Sequence, residues 1–166
     1  MKKRWIGLFV ENEIGVLARI SGLFSSKSYN IESLTVGTTE DPTISRMTIS
    51  MISDDKTFEQ IKKQLNRSVE VIKVVDYTNV PIHNKELLYI KINNCSEKDR
   101  IDIFRLSDVY KFKIIDYNQK SIIIEWVAIE SNINELIKLS SALFLNRIEV
   151  VRGGSVAIES IGIANK

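Results

Sequence analysis

The chain has 166 residues, 44% of them apolar, and a formal net charge of +2 from 23 basic and 21 acidic side chains. That is room for one domain or two small ones with a real core, and the interspersed charges exclude the basic block that nucleic acid or an anionic membrane demands. A single cysteine, Cys95, and a single histidine, His83, exclude an internal disulfide and a structural zinc site, and no run approaches the ~20 apolar residues of a membrane span, so a reducing cytoplasmic location is the default.

The apolar run after Lys3 meets Glu11 and Glu13 too soon for a signal sequence. Residues 5–10 instead read as a strand with Ile6, Leu8 and Val10 on one face. Val16, Leu17, Ile20, Leu23 and Phe24 then recur at the spacing of an amphipathic helix lying on a sheet. The turn before this helix holds Asn12 and Gly15, and the turn after it holds Asn30. Free backbone N–H groups and the positive end of the helix dipole at such a start can receive a carboxylate. Residues 30–38 form the next strand, 39–42 a turn, and 43–52 a strand of clean alternation. In that strand Ser45, Met47, Ile49 and Met51 face a core, while Ile44, Arg46, Thr48 and Ser50 form a wet face. Ser53-Asp54-Asp55 caps a second helix striped by Phe58, Ile61 and Leu65, and residues 69–75 are a strand.

The polar stretch 78–85, with Pro81 and His83, reads as a linker. After it the order repeats: a strand at 86–93, a helix at 96–109 capped by Ser96, and a hairpin of 112–117 with 121–128. Ile133, Leu136, Ile137, Ser140, Leu143 and Phe144 mark a further helix, followed by short strands at 148–152 and 155–161 around Gly153-Gly154. The fold class is α+β, with two ferredoxin-like βαββαβ domains at 1–77 and 86–166. Such a unit has a bare sheet face and open edges, and pairing with a second copy covers them, so a homodimer is expected.

Catalytic signatures are absent from the sequence: it has no G-x-G-x-x-G, P-loop, H-E-x-x-H or C-x-x-C. Asp54-Asp55 at a helix start is better read as cap and dipole partner than as an acid–base pair. Gly15 permits close backbone approach to a carboxylate or simply starts a helix, and Asn12 orients a bound amino acid or makes an Asx-turn. Arg46 faces a partner or solvent, and Trp5 and Trp126 are interface anchors or strand packing. The βαββαβ order is also that of RNA-recognition modules, but residues 43–52 contain none of the aromatic side chains on which such modules stack bases.

The stretches VENEIGVLARISGLF, YNIESLTVG, TEDPTISRMTI and EQIKKQLNRSVEVIKV resemble the regulatory small subunit of acetolactate synthase, nearly without gaps over residues 3–75. ELLYIK at 86–91, Ile114-Ile115-Asp116 and EVVR at 149–152 continue the resemblance in register. It implies that the first domain is an ACT domain, which binds an amino acid effector and pairs side by side with a second copy. It implies valine as the effector, with Asn12, Glu13, Ile14, Gly15, Val16 and Asn30 as the pocket set, and a large catalytic subunit as the partner of the second domain. It also implies a chain without catalytic residues, metal or cofactor, which activates the large subunit and makes it sensitive to valine. Thiamine diphosphate, magnesium and FAD are expected in the large subunit. An ACT-type sensor of another enzyme is the neighbouring alternative. The chain departs from the family pattern at Ser28 and Asn146, where glycine is usual, and at Val127-Ala128 and Gly153. Ser28 adds strain if its turn requires a positive φ, whereas asparagine at 146 tolerates one.

Overall fold

A computed structural model describes residues 1–162 and divides them into two units, Met1–Asn84 with residues 155–162, and Lys85–Gly154. The first unit runs β1 (Lys2–Glu11), α1 (Val16–Ser26), β2 (Ser33–Thr38), β3 (Ile44–Ser53), α2 (Asp55–Leu65) and β4 (Val71–Asp76). Its antiparallel sheet has the order β2-β3-β1-β4. The register sets Ile6 against Ile49 and Leu8 against Met47, so the alternation in both central strands lands on one face. Val16, Ile20 and Phe24 of α1 and Phe58, Ile61 and Leu65 of α2 close over that face as a single core. Burying side chains of this size stabilises by about 1.5–3 kcal/mol each.

Helix ends follow from local chemistry. Asp54 caps α2 by accepting from the Thr57 N–H at 2.8 Å. The end of α1 is a Schellman turn, with Tyr29 N donating to Phe24 O (3.0 Å), Ser28 N donating to Ser25 O (3.0 Å), and Tyr29 packed on the core that holds Phe24. The residue at its left-handed position is Ser28, with φ +57°, so the turn does require the conformation that glycine adopts freely.

The second unit repeats the plan with β5 (Ile82–Ile92), α3 (Glu97–Tyr110), β6 (Lys113–Tyr117), β7 (Ile122–Ala128), α4 (Glu130–Leu143) and β8 (Ile148–Arg152). Its strands are ordered β6-β7-β5-β8, and Leu88, Ile90, Ile92, Ile122, Ile124, Ile133 and Leu136 lie in its core. Ser96 and Asp99 cap α3 reciprocally, and Asp99 also accepts from Arg147 Nη1 at 2.7 Å. Arg147 thereby holds the Asp99 carboxyl far below the usual carboxylate range. Trp126 packs against the core, edge-on to Tyr110 with ring centroids 5.7 Å apart, which is strand packing.

Residues 155–162 group with the first unit, while β9 (Val156–Glu159) pairs with β5. Two expectations change. The stretch 78–85 is not wholly linker, because β5 starts at Ile82, pairs with β9, and Ser160 N donates to Pro81 O (2.9 Å). The outer face of β3 is not wet either. Thr48 is 3% exposed and Ser50 0%, because β9 and Tyr77 cover the sheet on that side. Tyr77 sits on Gly7, where a Cβ would come within 2.9 Å of the ring.

Candidate functional site

The loop from β1 into α1 is built before any ligand arrives. Asn12 is tied to the β2–β3 turn three ways: its N–H donates to Thr43 O (2.7 Å), its Nδ2 donates to Pro42 O (2.8 Å), and its Oδ1 accepts from Ser45 Oγ (3.0 Å). Asp41 stiffens the facing turn by accepting from Thr43 N (2.8 Å) and Thr43 Oγ1 (2.6 Å). The Thr43 hydroxyl, and then its N–H, keep the Asp41 carboxyl below its ordinary range. Asn12 is therefore a wall of the site, with its amide already spent on shaping the loop.

Gly15 is the residue before α1 and has φ +89° and ψ −10°, a conformation that L side chains avoid. Around it, among the described residues, only the Arg19 guanidinium comes close, 3.7 Å from where a Cβ would lie. No side chain caps α1 and its first turn carries no acidic residue, in contrast to the capped starts of α2 and α3. The N–H groups of this turn and its dipole thus lack an internal anion. Arg19, beside Gly15, forms an ion pair with Glu70, Nε to Oε1 at 2.6 Å. Sequence reasoning passed over Arg19; its signal is the i+4 spacing from Gly15, which puts it on the same side of the helix.

Asn12 and Glu13 line a cleft of ≈ 440 Å³ together with Glu11, Pro42, Thr43, Ile44 and Ile72; Gly15 lies outside this lining. Ile14 is fully exposed beside it. Val16 goes elsewhere: at 2% exposure its side chain belongs to the core. Asn30 lies in a separate cleft with Ser28, Tyr29, Asp54 and Thr57, at the far end of α1. Eleven helical residues separate the two ends, a length of about 16 Å. Within one chain, Asn30 does not join Asn12 and Gly15. No group of three or more His, Cys, Asp or Glu side chains is arranged to hold a metal among the described residues.

Two βαββαβ units in tandem, the first with a glycine-started helix over a polar cleft, define the class of ACT-domain proteins with a second ferredoxin-like unit. The family described as "AHAS small subunit-like ACT domain" matches residues 6–73, and that described as "Small subunit of acetolactate synthase" matches residues 85–161. The acetolactate synthase small subunit of Aquifex aeolicus is 40% identical over 158 residues, covering 95% of this chain and 81% of its own. That of Haemophilus influenzae is 37% identical over 157 residues, covering 94% of each. The crystal structure of the Thermotoga maritima acetolactate synthase small subunit superposes with a TM-score of 0.88 at 32% identity, covering 98% of this chain and all of that one. The chain belongs to the acetolactate synthase small-subunit family.

Proposed function

We propose that this chain is the non-catalytic regulatory subunit of acetolactate synthase in branched-chain amino acid biosynthesis, raising the activity of the large subunit and making it sensitive to valine. The observation that carries the reading is family membership across both units rather than the ACT domain alone. The thiamine diphosphate, magnesium and FAD of the reaction would reside in the large subunit.

In this reading valine's carboxylate meets the open start of α1 at Gly15, assisted by Arg19. Its isopropyl group lies toward Ile14, Ile44 and Ile72, and Asn12 and Glu13 bound the cleft. Asn30 contributes from a second copy paired side by side, which supports a homodimer as the working form. Valine has eight heavy atoms, and bounds of about −0.3 to −1.5 kcal/mol per atom allow micromolar to millimolar affinity, enough for metabolite feedback. Inhibition additionally requires valine to bind one state of the assembly more tightly than the other. The second unit supplies the large-subunit contact; exposed Leu87, Ile115, Val127 and Val151 on its outer sheet face support a partner surface there. Covering of the outer face of the first sheet removes the open platform that base stacking would need, which disfavours the RNA-binding alternative.

Calorimetry with valine, beside gel filtration of the chain, tests this reading. Saturable binding by a dimer, abolished in Gly15→Asp with the dimer intact, is the expected result. A monomer that binds no valine contradicts the effector site.

A further inference from the structure

β9 pairs with β5, and its attachment to the outer face of the first sheet is chiefly by polar contacts. Thr35 Oγ1 donates to Ser155 O (2.9 Å), Ser155 N donates to Ser33 Oγ (2.9 Å), and Arg46 Nη2 donates to Ala157 O (3.0 Å). The side chains buried by the attachment are small, Ser155 and Ala157, while the neighbouring Val156 and Ile158 are exposed. Apolar burial therefore adds little to hold it. On the same face Ser50 Oγ and Arg46 Nε are buried without a hydrogen-bond partner among the described residues. Their desolvation opposes the closed arrangement and is relieved on release. A cover balanced in this way belongs to the low-stability end of a fold.

The same attachment is wired to the effector loop. Ser45 and Arg46 are successive residues of β3 that face opposite sides of the sheet. Ser45 Oγ donates to Asn12 Oδ1 on the loop side. Arg46 lies over the Phe9 ring (5.3 Å to its centroid) and donates through Nη2 to Tyr77 OH (2.5 Å) as well as to Ala157 O. The chain passes between the units twice, after Asn84 and after Gly154, and only Gly153-Gly154 stand between the end of β8 and Ser155. Two residues of backbone thus join the β9 segment directly to the last strand of the second unit.

We propose that β9 is a releasable strap that passes the state of the Asn12–Gly15 loop from the first unit to the second, with Arg46 as the coupling residue. The proposal deepens the effector reading and rests on it for the identity of the signal, but the coupling itself is testable without valine.

Hydrogen exchange on the full-length chain is the first arm. Arg46→Met, or the milder Thr35→Val, should speed exchange at 155–160 and leave the α1 and α2 cores protected. Perturbing the loop by Gly15→Asp should change exchange at 155–160, and Arg46→Met should abolish that response; if Gly15→Asp loses protection throughout, Asn12→Ala takes its place. No response of 155–160 to a folded loop variant overturns the proposal. The second arm is acetolactate formation by the complex with the large subunit. Arg46→Met should keep valine binding and activation but reduce the valine effect by about fivefold or more, the usual scale of an allosteric coupling. Full inhibition with a freed strap overturns the proposal. A wild-type chain that binds no valine, yet whose strap responds to the loop variants, defeats the effector reading and leaves the strap standing.

Discussion

The two sheets share a strand order and have opposite outer faces. That of the first is polar and closed, with Thr48 and Ser50 almost fully buried beneath the strap and Tyr77. That of the second is open and mixed, with Val127 56% and Val151 57% exposed among Lys91, Glu125 and Glu149. Side-chain polarity therefore does not decide which face meets solvent; what the rest of the chain lays over it does. The closed polar face is suited to a contact that can be made and broken inside one chain. The open face, with its exposed aliphatic side chains, is suited to a contact with another protein.

The contrast can be broken most forcefully at Gly7. Gly7→Val drives a branched side chain into the Tyr77 ring and should cost about 1–3 kcal/mol in urea denaturation, with lost exchange protection at 155–160. An unchanged midpoint would mean that Tyr77 is not seated there. A gain is expected at the end of α1: Ser28→Gly should stabilise by about 1–2 kcal/mol, since serine there holds a left-handed conformation. The equivalent exchange in the second unit, Asn146→Gly, should gain less although φ is also +57°, because asparagine tolerates the conformation. Equal gains would remove the argument from residue type.

A pH effect belongs to the second unit. The Asp99 carboxyl is depressed by Arg147, so its contribution is fully present above the unfolded value of ~3.9 and is lost as pH falls through the lower folded value. Thermal melts below ~pH 4 should therefore show the second unit weakening in the wild type. Asp99→Asn should be less stable at neutral pH and show a flatter acid response. The pair is partly solvated, so this effect should be smaller than those above. Smallest of all is Val127→Ser on the open face, within about 0.5 kcal/mol for the isolated chain. It should still weaken association with the large subunit, and unaffected association would move the contact elsewhere.

Much of this was legible from the sequence. Alternation in residues 43–52 marks Met47, Ile49 and Met51 as core, the helical stripes find Ile20, Phe24, Phe58 and Ile61, and Ser96 and Asp54 identify their own caps. The loop around Asn12 and Gly15 was legible as a polar helix start. Other features depend on residues distant in sequence, which local periodicity does not carry. Thr48 and Ser50 read as solvated because their cover, Tyr77 and β9, is distant in sequence, β9 by more than a hundred residues. Val16 reads equally well as pocket or core until its helix is docked. Gly7 gives no sign of Tyr77, nor Arg46 of Ala157. Nor does local periodicity show that residues 155–162, which follow the second unit in sequence, group with the first in space.

The central claim is most directly tested by the rate of acetolactate formation by the cognate large subunit, alone and with this chain, with and without millimolar valine. The account predicts a higher rate with the chain, lowered by valine, and with Gly15→Asp the activation kept and the valine effect gone. An unchanged rate and no complex on gel filtration would contradict it.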